Sequence, residues 1–359
     1  MRTPRIEIDL SKIASNARFL SNLYGVKGIT VTGVTKGVCG DPRIAAVFLQ
    51  NGIKNLGDSR IANLRRLREA GFKETFFLLR APALSEVEEA IEVADVSLNT
   101  EIEIIRKISK FALKRKKRHK IILMVELGDL REGILPRELE EVVEEVLLLE
   151  GVELSGIGTN LSCFGGVKPD RSKMEELSQL AQRIEERFEL KLEYVSGGNS
   201  ACYSWLISAE NVGKINNIRL GDSILLGGKD LEIRGIPGLH YDAFVLYAEV
   251  IESKVKPSVP YGEIGIDAFG SVPKFEDRGN IRRVILNIGR QDVLVSQIRP
   301  RGNIEVLGAT SDHMLLDASN TDLRVGDEVS FDIDYGAMLF AMSSPYVFKK
   351  YLNENEKGA

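Results

Sequence analysis

The sequence has few of the features that mark several large classes of protein. Its three cysteines, Cys39, Cys163 and Cys202, are far apart and form no CxxC pair, so neither a disulfide framework nor a structural zinc site is indicated. No apolar run approaches the roughly 20 residues that a membrane-spanning helix needs. The N-terminal segment MRTPRIEIDL carries no visible secretory signal. We therefore expect a cytoplasmic protein without a metal site.

An excess of positive charge is also missing. The net charge of −4 gives no general attraction to nucleic acids. One local exception is KRKKRHK, residues 114–120, which closes a long helical pattern that begins near Thr100. Cations at a helix C-terminus interact favourably with the helix dipole. We therefore interpret this cluster as a solvated helix end, and expect neither a nucleic-acid partner nor a membrane partner.

What the sequence does contain is a regular alternation of short β-branched runs with charged stretches of helical spacing. The 359 residues, 43% of them hydrophobic, suffice for one large domain and a smaller one. Between residues 29 and 226 we predict eight strands: ITVTGV, KNLGDS, TFFLLR, DVSLNT, KIILMVEL, ELSGIGTNL, LEYVSGG and NIRLGDSILL. Eight strands that alternate with helices predict an α/β fold with a parallel (β/α)8 barrel of the TIM type.

A doubly wound open sheet is the competing fold, but it usually has fewer strands, and the GxGxxG fingerprint is absent after the first strand. After about residue 236 the long helical patterns end and β-type segments dominate. We therefore predict a barrel domain over residues 10–235 and a C-terminal all-β domain over residues 236–359. Residues 1–9 include a further strand candidate that could pair into the second domain.

The active site of a (β/α)8 barrel lies at the C-terminal ends of its strands. This rule converts the predicted strands into candidate site residues, which are Lys36, Arg131, Asn160, Cys163, the segment 195–201, Asn217, Arg219 and Gly221. A lysine after a buried strand is most often a residue that extends its charge into water. Its chemical interpretation depends on the other loops at the same end of the barrel.

The most informative loop is SGGNS, residues 196–200. Its glycines allow a sharp turn, and its hydroxyl and N–H groups, contributed by Ser196, Gly198, Asn199 and Ser200, can surround an anion. Barrels often bind phosphate with the loops after strands seven and eight, here SGGNS and RLGDS. The alternative is a simple turn followed by a helix N-cap. Opposite a strand-end lysine, a phosphate site is the better interpretation.

A phosphate site, a lysine and an arginine together suggest pyridoxal 5′-phosphate as cofactor. Lys36 would form the Schiff base, and Arg219 would face the pyridine nitrogen. Because arginine is permanently charged, it supplies no proton to that nitrogen. The cofactor is then a weaker electron sink, which suits plain removal and return of a proton.

At this point the chain resembles the alanine racemase family of fold-type III enzymes, in motifs that cover essentially its whole length. IEIDLSKIASNARFL resembles the family's opening segment, GGNS its ANS loop and RLGDS its RxG segment. MVELGDLREG, GIGTNLSCFGG, VSGGNSA, GEIGIDAFG, IGRQD and SDHMLLD resemble the ornithine racemase branch more closely. The resemblance implies a barrel, a C-terminal β domain and a head-to-tail homodimer with shared active sites.

The resemblance also implies roles for individual residues. Lys36 takes the Schiff-base position, and Arg131 the position that touches the cofactor phenolate and the substrate carboxylate. Ser200, Tyr335 and the amides of Gly221 and Asp222 take phosphate positions, and Arg219 the ring-nitrogen position.

Three positions depart from the family pattern. Gly40 stands where relatives have a tyrosine that binds phosphate, and Ser196 replaces a histidine. Arg290, in IGRQD, stands where the partner subunit's tyrosine serves as second base. Arginine is a poor base at neutral pH, so the second proton-transfer group must come from elsewhere.

Racemisation needs proton-transfer groups on both faces of a planar carbanion. Lys36 serves one face. For the other face the candidates are His313, Cys163, Asp312 and Tyr261, of which His313 has the most suitable ordinary pKa. The ammonium of a basic substrate needs an acidic partner, and Asp312, Asp267, Asp292 and Glu263 are candidates, although most acids are plain surface residues.

We therefore predict a racemase that interconverts the L and D forms of ornithine or lysine. The alternatives are a racemase for alanine or for many amino acids, a decarboxylase of basic amino acids, and a carrier of pyridoxal phosphate without turnover. Arg219 argues against the decarboxylase, and the second domain argues against the carrier.

Overall fold

The computed structural model describes residues 2–228 and 235–352, and the chain divides into two compact units. One unit is Lys12–Tyr241, and the other combines Met1–Ser11 with Asp242–Ala359. The sequence predicted a domain boundary between residues 235 and 236, and residues 229–234 beside it lie outside the described ranges. The chain starts with strand β1 (Arg5–Asp9) and helix α1 (Leu10–Gly25).

Eight parallel strands close into a barrel in the first of these units, in their order along the chain. They are β2 (Thr30–Val34), β3 (Asn55–Asp58), β4 (Phe76–Leu78), β5 (Val96–Asn99), β6 (His119–Met124), β7 (Val152–Gly158), β8 (Tyr194–Ser196) and β9 (Asn217–Leu220). Closure is made by β9, which pairs with β2 through Asn217↔Thr30 to Leu220↔Gly33. The predicted (β/α)8 barrel is confirmed.

Helices follow the barrel strands as the periodicity predicted. They are α2 (Pro42–Gln50), α3 (Ile61–Glu69), α4 (Val87–Val93), α5 (Ile102–Lys114), α6 (Leu139–Leu147), α7 (Arg171–Phe188), α8 (Tyr203–Ser208) and α9 (Asp222–Leu226). Local chemistry sets their starts: the Asp41 carboxylate accepts from the N–H groups of Arg43 and Ile44, and Pro42 opens α2. In the described part of the chain, no helix has both the length and the apolar character needed to cross a membrane.

The barrel interior is packed rather than open. Phe77, Val96, Leu98, Ile122 and Met124 form a buried cluster contributed by β4, β5 and β6. The ring of Tyr194 on β8 meets Phe77 edge-on, with centroids 5.2 Å apart. Because the interior is filled with side chains, chemistry is confined to the end of the barrel where the strands finish.

A buried histidine sits at the opposite end of the strands. His119 begins β6, is 5% exposed, and its Nε2 lies 2.9 Å from the Ser97 hydroxyl. Burial lowers the pKa of His119 to about 4. The folded barrel therefore holds a neutral imidazole at every pH above about 4, whereas the unfolded chain binds a proton below about 6.5.

His119 should make the barrel lose stability as the pH falls from about 6.5 to about 4. Between pH 7.5 and pH 5 we expect the free energy of unfolding of the wild type to fall by about 2 kcal/mol more than that of His119→Gln. Urea unfolding of both proteins at the two pH values measures this difference. His240→Gln, a change at an exposed histidine, is the control and should keep the wild-type pH dependence. Equal pH dependence in wild type and His119→Gln would contradict the assignment.

The second unit is an eight-stranded sheet. Its strands are β10 (Phe244–Pro257), β11 (Asn280–Leu286), β12 (Ile298–Pro300), β13 (Glu305–Ala309), β14 (Met314–Asp317), β15 (Glu328–Ile333) and β16 (Phe348–Leu352), together with β1. The main path runs β12-β15-β10-β11-β14-β13, and β1 lies between β10 and β16. Alternate residues of β10 are buried from Phe244 to Val250, as a sheet with one covered face requires. The predicted all-β second domain is confirmed.

Two segments differ from the prediction. The sequence predicts one strand over NIRLGDSILL, but the strand ends at Leu220 and the second half forms α9. The Ile224 and Leu225 N–H groups of α9 donate to the Gly221 carbonyl. The β unit also contains a helix, α10 (Tyr335–Ser343). Its sequence, YGAMLFAMS, is apolar almost throughout, so it lacks the amphipathic alternation by which a helix is recognised.

Candidate active site

Lys36 lies at the C-terminal end of the first barrel strand. After β2 and Thr35 the chain enters a 3₁₀ turn, Lys36–Val38, so the side chain starts at the mouth of the barrel. Burial lowers the pKa of Lys36, the cations Arg131 and Arg219 add to this effect, and Cys163 and Asp58 oppose it. With a lowered pKa, a larger fraction of the lysine is the neutral amine at neutral pH, and this is the form that acts as a nucleophile or a base.

A buried carboxylate supports this turn, and the sequence analysis missed it. Asp58 ends β3, is fully buried, and accepts from the Thr35 hydroxyl (2.8 Å), the Asn63 amide (3.0 Å) and the Arg60 N–H (2.9 Å). Burial raises the pKa of Asp58, and these hydrogen bonds and Lys36 partly offset the rise. The available signal was its place at a strand end, in LGDS.

Gly40 occupies a position that leaves no room for a side chain. Its φ is +61°, and a Cβ there would lie 2.8 Å from the Asn63 Cβ and 2.9 Å from the Asn63 carbonyl oxygen. Asn63 is fixed in turn by its bond to Asp58. The tyrosine that the sequence resemblance implies at this position would therefore collide with α3, which packs closely against this loop.

Gly40→Ala should destabilise the barrel by about 2–3 kcal/mol, because it adds a collision to the cost of a left-handed backbone. Gly71 offers a matched control, since its φ is +95° and nothing lies within 4 Å of a Cβ there. Gly71→Ala should cost only about 1 kcal/mol. Denaturant unfolding of both variants measures the difference, and equal costs would show that Asn63 yields easily.

Arg219 is held rigidly inside the barrel on β9. It is 6% exposed, and its guanidinium donates from Nη1 to the Ser196 hydroxyl (2.5 Å) and from Nη2 to the Thr159 carbonyl (2.7 Å). The Ser196 hydroxyl donates to Asn217 Oδ1 (2.7 Å), and the Asn217 amide donates to Thr32 (3.0 Å). Burial lowers the pKa of Arg219 to about 10, so the group stays charged at neutral pH. Within the described ranges it forms no ion pair with a carboxylate.

The predicted phosphate loop meets the start of α9. Ser200 follows Asn199 in a 3₁₀ turn, and its hydroxyl lies 3.0 Å from the Ser223 hydroxyl and accepts the Ser223 N–H (3.2 Å). Asn199 ties this loop to the one after β7 by donating to the Leu161 carbonyl (2.8 Å). Gly198 has a φ of +135° and leaves no room for a Cβ beside Cys202 Sγ. Ser200 and Ser223 thus join the loops after β8 and β9.

Gly221 and Asp222 stand where β9 turns into α9. A Cβ on Gly221 would lie 3.1 Å from Val34 Cβ, so the backbone at this turn packs tightly against β2, the strand that leads to the lysine. Asp222 is the first residue of α9. Their backbone N–H groups belong to the first turn of that helix, where amides lack an intrahelical acceptor.

Arg131 lies in the loop after β6, in contact with the loop after β7. Its Nη1 donates to Cys163 Sγ (2.8 Å), and its Nε and Nη2 donate to the Glu132 carboxylate. Asp129, 1% exposed, accepts the N–H groups of Cys163 and Phe164 and so joins the two loops. Burial raises the pKa of Asp129, but the backbone hydrogen bonds and Arg131 outweigh it and lower the pKa below its usual value.

Two polar atoms near the strand ends are buried without a hydrogen-bond partner. They are Oδ1 of Asn99, which ends β5, and Nδ2 of Asn160, two residues beyond β7. Buried polar atoms are normally paired, so each has capacity for a bound group. Among the described residues, no three His, Cys, Asp or Glu side chains are grouped to hold a metal ion.

The remaining predicted site residues belong to the β unit. His313 lies in the turn between β13 and β14, and its Nδ1 is 3.0 Å from Asp312 Oδ1; both side chains are exposed. Asp267 accepts the N–H groups of Phe269 and Ser271 within its own loop. Tyr335 is the first residue of α10.

Arg290 belongs to the same unit and stacks on an aromatic ring. Its guanidinium lies 3.9 Å from the centroid of the Phe269 ring, a cation–π contact. This contact places the Arg290 guanidinium against the loop that contains Asp267 and Phe269.

The chain is similar to known racemases along nearly its whole length. Residues 8–228 match the family model described as alanine racemase, N-terminal domain. The chain is 40% identical to ornithine racemase of Acetoanaerobium sticklandii, over 97% of this chain and 99% of that protein. It is 39% identical to lysine racemase of Thermotoga maritima, over 97% and 98%.

Solved structures give the same fold. Alanine racemase of Clostridium difficile 630 superposes with a TM-score of 0.75 at 20% identity, covering 99% of this chain and 97% of that one. The family match covers more than half of the chain, and the two curated relatives align with nearly all of it. This chain therefore belongs to the alanine racemase family.

Proposed function

We propose that this protein is a pyridoxal-phosphate-dependent racemase that interconverts the L and D forms of a basic amino acid, ornithine or lysine. The observation that carries the proposal is made at the barrel mouth. There a lysine of lowered pKa lies near a buried arginine, Arg219, that forms no ion pair with a carboxylate within the described ranges. The substrate class is supported by the ornithine and lysine racemases that share about two fifths of its residues.

The residues at the barrel mouth fit this cofactor. Ser200 and Ser223, with the backbone amides of Gly221 and Asp222, would hold the phosphate, and Lys36 would hold the aldehyde carbon covalently. Arg219 would face the ring nitrogen, and Arg131 the phenolate and the substrate carboxylate. The unpaired amide of Asn160 adds a buried donor to the same mouth. We propose Tyr335 as a further phosphate ligand.

The remaining residues of the predicted loop have supporting roles in this proposal. Gly198 provides the turn, and Asn199 fixes the loop through Ala201 and Leu161. Ser196 would act on the cofactor through Arg219, because its hydroxyl already bonds both Asn217 and Arg219.

When bound, pyridoxal phosphate delocalises the negative charge left at the α-carbon of an attached amino acid, which makes the α-proton removable. Lys36 removes and returns this proton on its own face, as a lowered amine pKa favours. Arg131 orients the substrate through its carboxylate. Arg219 stays a cation at neutral pH and does not transfer a proton to the ring nitrogen, which favours return of a proton to the α-carbon over loss of carbon dioxide.

We propose that the active form is a head-to-tail homodimer whose second subunit supplies the other proton-transfer group, His313. Its contact with Asp312 lowers the pKa of that carboxyl and keeps the imidazole oriented. The loop of residues 258–279 in the same unit exposes Tyr261 (95%) and Ile266 (72%), apolar area that a partner subunit would cover. The acids Asp312 and Asp267 would then approach the partner's substrate. No disulfide joins Cys39, Cys163 and Cys202, which suits the cytoplasm we propose for this protein.

His313→Asn should lower kcat by about 100-fold or more while leaving cofactor binding intact, because only one proton-transfer group is lost. Initial rates of D-ornithine formation and the absorbance of bound cofactor measure the two properties. Mixing inactive His313→Asn with inactive Lys36→Ala should restore part of the activity, since a hybrid dimer has one complete site. Near-normal turnover by His313→Asn would remove it from this role.

The experiment that tests the function is chiral analysis of products from a panel of amino acids. The purified protein, loaded with pyridoxal phosphate, is incubated with L-ornithine, L-lysine and L-alanine in turn, with Lys36→Ala as blank. We expect D-ornithine or D-lysine to form faster than D-alanine. Carbon dioxide with a diamine would indicate a decarboxylase instead, and absence of any product would indicate a carrier.

A further inference from the structure

The guanidinium of Arg131 already holds a carboxylate of its own chain. Nε and Nη2 each donate to one oxygen of Glu132, which leaves Nη1, in contact with Cys163 Sγ, on the other side of the group. Hydrogen bonds to Glu132 raise the pKa of Arg131 further above its ordinary value. An arginine that is to receive the substrate carboxylate is therefore shared with a second negative charge beside it.

The loop that presents Arg131 and Glu132 is rigidly built. Leu130 has a φ of +54°, and Gly133 has a φ of +157° with no room for a Cβ against the backbone of Glu126. The base of the loop is closed by hydrogen bonds from Glu126 N–H to the Ile134 carbonyl (2.9 Å) and from Ile134 N–H to the Met124 carbonyl (2.8 Å). Non-glycine residues with positive φ persist where surrounding structure enforces them, commonly at functional sites.

The negative charge of Glu132 affects Arg219 inside the barrel. The Glu132 side chain is 29% exposed, and its charge helps to raise the pKa of Arg219 against the lowering effect of burial. Two other acids at this end of the barrel, Asp58 and Asp129, already accept several hydrogen bonds. Asp58 accepts from Thr35, Asn63 and Arg60, and Asp129 accepts from backbone N–H groups of the loop after β7.

We propose that Glu132 determines substrate specificity by receiving the side-chain ammonium of a basic amino acid. The inference rests on the function proposed above. When the substrate carboxylate binds Arg131, two carboxylates share one guanidinium, and a second positive charge restores the balance. Ornithine and lysine supply that charge through their side-chain ammonium. A substrate with an apolar side chain supplies no such charge, so Glu132 must share the Arg131 guanidinium with the substrate carboxylate. Specificity then comes from attraction to the ammonium and from a penalty against neutral side chains.

The test compares L-ornithine with L-norvaline, which has the same number of carbon atoms and no side-chain ammonium. For Glu132→Gln we expect the ratio of kcat/KM for ornithine to that for norvaline to fall by about 10- to 100-fold, the range that one charge-assisted hydrogen bond supplies. The loss should appear in KM for ornithine, with kcat for norvaline unchanged. Equilibrium titration of the cofactor absorbance with each amino acid gives the binding constants separately.

Glu138→Gln is the matched control, because Arg137 and Glu138 form another adjacent arginine–glutamate pair, with exposed side chains and a separation of 3.4 Å. It should leave the ratio unchanged. If Glu132→Gln lowers kcat/KM for ornithine and for norvaline equally, Glu132 only positions Arg131 and the inference is wrong. It is equally wrong if the variant keeps the wild-type ratio while the wild type racemises ornithine. A wild type that racemises only neutral amino acids overturns the proposed substrate class as well.

Discussion

Lys36→Ala is expected to lower the rate of racemisation by about 10⁴-fold or more. The variant loses the only strand-end amine in the described part of the barrel mouth whose pKa is lowered, and with it both the covalent hold on the cofactor and one proton-transfer group. Initial rates of D-enantiomer formation from L-ornithine measure the loss. Dialysis should also remove pyridoxal phosphate from the variant more readily than from the wild type.

Two further variants test whether the positive charge alone is sufficient and whether loss of another barrel lysine has the same effect. Lys36→Arg keeps a positive charge but has no usable base at neutral pH, and it should be as inactive as the alanine variant. Lys120→Ala, at the start of β6 and paired with Glu193, removes a lysine far along the same barrel and should keep normal turnover. Retention of a tenth or more of the activity by Lys36→Ala would contradict its assignment.

Arg219→Gln is expected to lower kcat by about 10²- to 10³-fold, the cost of removing one preorganised charged group from an active site. The loss leaves the Ser196 hydroxyl and the Thr159 carbonyl without their donor inside the barrel. Ser196→Ala keeps the guanidinium but frees one of its ends, and should have a smaller effect. Comparison of kcat for the two variants distinguishes the charge from its positioning.

Arg219→Glu provides the sharper chemical test. A carboxylate at this place would favour a protonated ring nitrogen, so the fraction of turnovers that end in carbon dioxide or a keto acid should rise relative to racemisation. Chromatography of all products, normalised to substrate consumed, measures this partition. An unchanged partition in a folded, cofactor-loaded variant would mean that Arg219 does not face the ring nitrogen.

Much of this site follows from the sequence because barrel geometry converts position along the chain into position in space. Once the eight strands are assigned, Lys36, Arg131, Ser200 and Arg219 must all lie at one end. Each stands directly after or near the end of an apolar run, where the periodicity is clear. The structure brings Lys36, Arg131 and Arg219 close enough for the charges of the two arginines to lower the pKa of the lysine.

The features that the sequence could not predict depend on hydrogen-bond partners that are distant along the chain, or lie in segments without a recognisable periodicity. Asp58 supports the turn of Lys36 through a hydrogen bond from Thr35, 23 residues away, and the local sequence does not indicate that contact. Ser196 lies in a loop typical of anion binding, yet its hydroxyl bonds Asn217 and Arg219, which a local motif cannot indicate. Helix α10 was missed because a uniformly apolar segment has no periodicity to read.

Glu132 shows the same limit at the level of function. In sequence it is an ordinary acid after an arginine, like Glu138 after Arg137. The structure distinguishes the two pairs: Arg131 and Glu132 lie at 34% and 29% side-chain exposure in a constrained loop, whereas Arg137 is 78% exposed. Loop conformation, and not residue identity, makes one of these glutamates a candidate for specificity.

In the proposed mechanism, the α-proton of a basic amino acid is removed on one face of the α-carbon and a proton is returned on the other. Incubation of the cofactor-loaded protein with L-ornithine in deuterium oxide, followed by chiral separation and mass spectrometry, tests it directly. We expect D-ornithine with one deuterium at the α-carbon and an approach to equal amounts of the two enantiomers. Deuterium in L-ornithine without formation of the D form, or a diamine with carbon dioxide, would contradict it.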